Sequence, residues 1–451
     1  MRWVTEPIID GGSMRPFFKD EDFNFLTEIA LGATYHQAAD VGEVLSTVER
    51  IRNGDAQSWA DEWAATADRL AAEAAANADR GRSRSAARQF LRVSMYYSLA
   101  SSTADRLAAE AVANADHGRS RSAARQFLRA SMYYSLASSS ADGTGDSGLF
   151  GKLWEKHRDA WDRFADLTVP RADRIEIPYE GTRLPGYFFR AAGPDEPGPR
   201  RTLIFNNGSD GAVTGAWVQG IADALDRGWN AMTFDGPGQN AALVRQGLPF
   251  RPDWEGVITP VVDYLLTRPD VDAGKIALLG VSQAGYWVPR AMAYEHRVAA
   301  AVADPGVVDV STLMLGQIPH FMLKLLEAGE REKFDRDMEY ALRFSRSTRA
   351  LMAYRMRPYG TDSPYDFFTA ARGYSLTDEV IGQITCPVLV TDPEHEQFWP
   401  GQPQQMYEKL PAGKALIRFT EAEGADSHCE PAGNGIRGER VFDWLDQRVP
   451  A

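Results

Sequence analysis

A serine, a group of carboxylates and a histidine follow one another along this chain in an order that suits covalent acyl chemistry. Gly280-Val281-Ser282-Gln283-Ala284-Gly285 comes after the apolar run KIALL and opens a helical stretch. A serine on a sharp strand-to-helix turn has its Oγ raised above the sheet, and the next backbone N–H, that of Gln283, can face an oxyanion. Such a turn needs small neighbours. The usual form is G-x-S-x-G; here Ala284 stands two places after the serine and Gly285 one further. Of seven histidines, His428 alone lies beyond both the serine and the candidate acids, in the polar loop AEGADSHCEPAG. A base for the serine must titrate near neutrality and be oriented by a carboxylate.

The segment Thr391-Asp392-Pro393-Glu394-His395-Glu396-Gln397-Phe398-Trp399-Pro400 offers three such carboxylates. Glu396, just before the apolar Phe398-Trp399-Pro400, is the favoured acid. Asp392, nearest the end of the preceding strand and of the residue type commoner in this role, is the alternative, followed by Glu394. A second oxyanion donor is expected in Asn206-Asn207-Gly208-Ser209-Asp210-Gly211, whose glycines allow close backbone approach. The N–H of Ser209 is the candidate and that of Gly208 the alternative. Asp235-Gly236-Pro237-Gly238-Gln239 reads as a structural turn bordering the pocket. No G-x-G-x-x-G follows the first strand, no GKS/T occurs, and no His/Cys/Asp cluster has metal spacing, so neither cofactor nor metal is expected.

These residues need a scaffold, and the texture of the chain supplies one. From Arg174 onward, short apolar runs alternate with helical stretches: RIEIPYEG, LPGYFFRA, TLIFNN, NAMTFDGPG, KIALLGVS, VAAAVADPG, CPVLVTD and ALIRFTE. That rhythm predicts an α/β domain over residues 169–451 built on a mostly parallel, doubly wound sheet. Residues 310–372 hold helical patterns and no clear strand, where an inserted cap would sit. Residues 1–168 read as an all-helical domain. Trp59, Trp63 and Ala67 recur at i, i+4, i+8, and Leu149, Leu153, Trp154, Trp161 and Phe164 share one face. Within it, residues 67–103 and 104–140 match at all but four of 37 positions: Ala75/Val112, Arg80/His117, Val93/Ala130 and Thr103/Ser140. Two near-identical units are too few for a solenoid, which needs about three, so the repeat reads as a tandem duplication inside a helical domain.

Composition limits the partners. Lys and Arg number 49 against 62 Asp and Glu, a net charge of −13. An acidic chain without a basic block has no attraction for phosphate backbones or anionic lipid, so nucleic acid and membrane are not expected partners. No apolar run approaches the ~20 residues of a bilayer span, and the N-terminal stretch has no secretory h-region. Cys386 and Cys429 are the two cysteines. They read as free thiols in a reducing compartment, with the cytoplasm as the expected location. A small molecule is the expected partner, and a homodimer stays open.

Together these features resemble the α/β-hydrolases related to 2,6-dihydroxypseudooxynicotine hydrolase and the FrsA-like esterases. The resemblance rests on SAARQFLRASMYYSLA, FDGPGQ, the elbow GVSQAGYWVPRA, the acid loop VTDPEHEQFWPGQP and EGADSHC, and spans most of residues 40–448. It implies an α/β-hydrolase fold, a Ser–acid–His triad with the acid carried onto Glu396, and a site between the helical and sheet domains. It also implies ester hydrolysis or hydrolysis of a carbon–carbon bond next to a ketone. The chain departs from the group at Ala284, where glycine is usual, at Glu396, where aspartate is usual, and in carrying two copies of the 37-residue unit. Three readings follow: a serine hydrolase cleaving an ester, amide or ketone-adjacent bond; an acyltransferase or eliminating lyase on the same triad; and a non-catalytic binding protein on a hydrolase fold. The complete set of Ser282, an acid and His428 argues against the last.

Overall fold

The computed structural model describes residues 17–32, 34–35, 41–55, 58–59, 62, 124, 127–128, 131, 149–191, 198–344, 346–411 and 413–451. They divide into two compact units: one holds Arg174–Glu430 and Ile436–Ala451, the other the described part of Ser13–Asp173 with Pro431–Gly435.

The helical unit includes α1 (Glu21–Gly32), α2 (Val41–Val48) and α3 (Leu149–Leu167). The aromatic spacing of α3 does what it predicts: Trp154, Trp161 and Phe164 are buried. The same face buries His157, whose Nδ1 lies 2.7 Å from the carbonyl oxygen of Ser131. Burial pushes the imidazole pKa down to about 4. The first 37-residue copy lies outside the described residues. Four positions of the second copy are described: Ala124, Phe127 and Ser131 are buried and Leu128 is half-buried. The Arg163 guanidinium of α3 sits 5.4 Å from the Phe127 ring.

The other unit is built on an eight-stranded sheet in the order β1-β2-β4-β3-β5-β6-β7-β8. The strands are β1 (Asp173–Tyr179), β2 (Thr182–Phe189), β3 (Arg200–Asn206), β4 (Asn230–Phe234), β5 (Val271–Val281), β6 (Ala300–Asp304), β7 (Val388–Pro393) and β8 (Ala415–Phe419). Each matches one of the eight apolar runs. β2 pairs antiparallel with β4, and the pairings from β4 through β3, β5, β6 and β7 to β8 are parallel. The central strands β4 and β6 are buried along their whole length, as expected where helices cover both faces, while the edge strand β1 alternates between buried and exposed. Packing against the sheet, α4 (Glu255–Leu266) and α5 (Ala284–Met292) meet where Trp254 stacks on Trp287 at 4.1 Å.

Between β6 and β7 the chain leaves the sheet. It forms α6 (Ser311–Leu315), α7 (His320–Glu327), α8 (Arg331–Leu342), α9 (Arg346–Met356) and α10 (Pro364–Ala371). These helices make up most of the segment that joins the two strands. It has its own small core, including Met322, Phe334, Met338, Phe367 and Phe368. The register then gathers the strand ends that matter: Asn206 of β3 pairs with Gly280 of β5, and Val281 pairs with Asp304 of β6. Ligands of open α/β sheets bind outside these carboxyl ends.

Candidate active site

Ser282 occupies the turn between β5 and α5 with φ +58°. A non-glycine residue in this region costs on the order of 1–3 kcal/mol, so it persists only where its surroundings enforce it. Here they do. The Ser282 N–H donates to the Asp304 carbonyl at 2.6 Å, and its own carbonyl accepts from Gly285 at 2.8 Å. A Cβ on Gly285 would lie 1.8 Å from the Pro305 carbonyl oxygen, so glycine is required there. A Cβ on Gly280 would lie 2.9 Å from the Cβ of Ala284. The empty space at 280 is what lets alanine replace the usual glycine at 284.

The Nε2 of His428 lies 2.9 Å from Ser282 Oγ. Its Nδ1 faces both carboxylate oxygens of Glu396, at 2.9 and 2.8 Å. An ionised carboxylate only accepts, so Nδ1 carries the proton and Nε2 is left as an acceptor for the serine hydroxyl. Glu396 Oε1 also accepts the N–H groups of Phe398 and Trp399, at 2.9 and 3.1 Å. The imidazole packs against the rings of those two residues, with centroids 4.5 and 5.7 Å away. The His428 N–H donates to Gln397 Oε1 at 2.9 Å. The acid loop therefore contributes a charge, a wall and a backbone anchor to one histidine.

Gly208 comes close to the serine: a Cβ added there would be 2.8 Å from Ser282 Cβ and 3.3 Å from its Oγ. The loop after β3 thus runs past Ser282, with Ser209 half-exposed and its hydroxyl 3.3 Å from Asp210 Oδ1. Trp254 Nε1 donates to Asn206 Oδ1 at 2.7 Å and fixes the start of this loop.

No protein-family model matches the sequence. Over 454 residues the chain is 28% identical to the hydrolase ORFZ of Pyricularia oryzae, covering 96% of this chain and 98% of that one. It is 26% identical over 450 residues to the 20-hydroxy-prefusarin hydrolase FUS2 of Gibberella moniliformis, with the same coverage. Its structure aligns with that of 2,6-dihydroxy-pseudo-oxynicotine hydrolase at a TM-score of 0.61 and 19% identity, over 93% of this chain and 95% of the other. The chain has the α/β-hydrolase fold.

In this α/β-hydrolase fold the other two carboxylates of the loop after β7 are engaged elsewhere. Asp392 accepts from Gln404 at 2.6 Å and from Arg418 at 3.2 Å, and burial raises its pKa. Glu394 accepts the N–H of Glu421 at 3.0 Å, which holds its pKa below the usual range. Neither bonds to His428, whereas Glu396 faces its Nδ1 with both oxygens. Among the described residues, no cluster of three or more His, Cys, Asp or Glu could hold a metal ion, and no helix is long and apolar enough to cross a membrane. Cys386 and Cys429 are both unpaired, and burial raises both thiol pKa values.

Sequence reasoning passed over a buried ionic group beneath the site. The Asp304 carboxylate accepts from Arg437 Nε at 2.6 Å and from Thr391 Oγ1 at 2.7 Å. Glu430, two residues after His428, lies 3.3 Å from the same guanidinium. Asp304, Glu430 and Arg437 are all sealed from solvent. Burial first, then the charge of Asp304, pushes the Glu430 carboxyl well above its ordinary pKa. The only available signal was an aspartate closing the apolar run VAAAVAD.

Proposed function

We propose that this hydrolase cleaves an acyl bond of a small organic molecule through a covalent acyl-enzyme on Ser282. The observation that carries this reading is the unbroken relay from Ser282 Oγ through both nitrogens of His428 to Glu396. As the Oγ attacks the acyl carbon, His428 Nε2 takes the hydroxyl proton, and Glu396 stabilises the resulting imidazolium. The tetrahedral oxyanion is met by the N–H groups of Gln283 and Ser209, with Gly208 as the alternative to Ser209. Collapse of the tetrahedral intermediate expels the leaving alcohol, amine or enolate carbon, which receives the proton from His428. Water, deprotonated by the same nitrogen, then releases the acid and regenerates the serine. No step requires a metal or an organic cofactor.

The substrates named for two similar proteins, 20-hydroxy-prefusarin and 2,6-dihydroxy-pseudo-oxynicotine, are small organic molecules, which supports that substrate class here. Two unpaired thiols, one buried and one half-buried, suit a reducing compartment and support the cytoplasm as its location. The test is labelling by a fluorophosphonate probe, followed by a screen over p-nitrophenyl esters, lactones and β-diketones in isotopically labelled water. Hydrolysis puts the water label into the released acid. Label-free product with transfer to an added alcohol or amine would instead assign acyl transfer, and absence of any Ser282 adduct would refute the mechanism.

A further inference from the structure

The turn after β4 is more than a border of the pocket. Gln239 is buried, and its Oε1 accepts the Gly236 N–H at 3.0 Å, which fixes which way the amide faces. Its Nε2 donates to two carbonyls of the loop after β3, those of Asn207 and Gly208, each at 2.7 Å. An amide NH₂ has two hydrogens, so one serves each carbonyl. Asn206 Nδ2 adds a second bond to the Asn207 carbonyl at 2.8 Å. Both peptides are trans. In a planar trans peptide the N–H of the next residue points opposite to the carbonyl. Holding the Asn207 and Gly208 carbonyls toward Gln239 therefore turns the N–H groups of Gly208 and Ser209 to the other side of the loop. This is the stretch that passes within van der Waals contact of Ser282.

We propose that Gln239 is a positioning residue for acyl transfer, whose amide group sets the direction of the oxyanion donors Gly208 and Ser209. The inference rests on the Ser282 mechanism proposed above. The role is specific to an amide at this place. A carboxylate would set negative oxygen against two carbonyl oxygens and would drive those peptides to rotate. A thioether of the same length would leave both carbonyls without their donor. An oxyanion hole works because its dipoles are fixed before charge develops, so loosening them affects the transition state and leaves ground-state binding nearly untouched.

The test uses the full chain with a fluorophosphonate probe and p-nitrophenyl butyrate. For Gln239→Met, phosphonylation of Ser282 and kcat should each fall by about ten-fold or more, with KM changed less than about two-fold, measured at a temperature well below the melting transition of the variant. Gln239→Glu provides an independent readout, useful where the methionine variant folds poorly. Its protonated carboxyl can donate one hydrogen and its ionised form none, so its rate deficit against wild type should grow as pH rises through the titration of the introduced carboxyl. Labelling of Gln239→Met within two-fold of wild type, or a pH-independent deficit in Gln239→Glu, overturns the positioning role. If wild type labels no faster than Ser282→Ala, it is the serine mechanism that fails, and the inference goes with it.

Discussion

Arg437 bonds Asp304 at 2.6 Å inside the sheet unit, and the backbone carbonyl of that same Asp304 accepts the Ser282 N–H at 2.6 Å. It also accepts the Cys429 thiol at 3.4 Å, one residue after His428. One aspartate at the end of β6 thereby ties the turn that carries Ser282 to the loop that carries His428. The Arg437 guanidinium, which also donates to the Gln219 carbonyl at 2.6 Å, holds that aspartate in place.

Removing Arg437 should leave the buried Asp304 carboxylate without a counter-charge. Arg437→Met is expected to cost about 3–5 kcal/mol of stability, the usual cost of breaking a buried pair from one side. Glu430→Gln should behave in the opposite way. The folded chain keeps the Glu430 proton because burial raises its pKa, whereas the unfolded chain releases it once pH passes the ordinary glutamate value. Wild-type stability therefore falls as pH rises above that point, a loss the glutamine variant avoids. Melting curves at pH 5 and pH 8 should show Glu430→Gln gaining on wild type at the higher pH. A variant that loses ground instead would mean that Glu430 is ionised in the fold.

Ser282→Ala should abolish turnover and labelling while leaving the melting temperature within a few degrees of wild type. Loss of a covalent nucleophile costs about 10⁴–10⁶ in rate. Residual activity above about a hundredth of wild type would exclude Ser282 as the nucleophile.

Glu396→Gln should lower kcat by roughly 10⁴, since a neutral amide neither fixes the imidazole tautomer nor stabilises the imidazolium. Asp392→Asn should have a far smaller effect, because Asp392 is bonded to Gln404 and Arg418. Steady-state kinetics of the two variants decide between them, and the reverse ranking would move the acid to Asp392.

The second 37-residue copy buries Ala124, Phe127 and Ser131, and its Ser131 meets His157 of α3. A single copy joined to α3 therefore satisfies that face. Deletion of residues 67–103 leaves this copy with its own junction to the downstream chain. The deletion variant is expected to stay soluble and to keep hydrolase activity within about an order of magnitude of wild type. An insoluble product, or a folded one without activity, would show that both copies are needed.

The sequence by itself determined the strands, the elbow and the chain order of Ser282, the acid loop and His428. Those are local properties: apolar runs of strand length, small residues around a tight turn, and polar loops at strand ends. It narrowed the acid to three carboxylates within five residues and favoured Glu396 among them, without fixing which one faces His428. Asp392, Glu394 and Glu396 differ only in where the loop turns them, and that depends on partners as distant as Arg418, Glu421 and His428. The buried group of Asp304, Glu430 and Arg437 was illegible for the same reason. Its members are separated by up to 133 positions and share no spacing, and their charges are acceptable in the interior only because the fold brings them together. Gln239 looked like part of a turn until the carbonyls it holds were placed against it. Which backbone groups lie opposite a side chain is set by the packing of β3 against β4 and β5, a relationship that exists only once the sheet has formed.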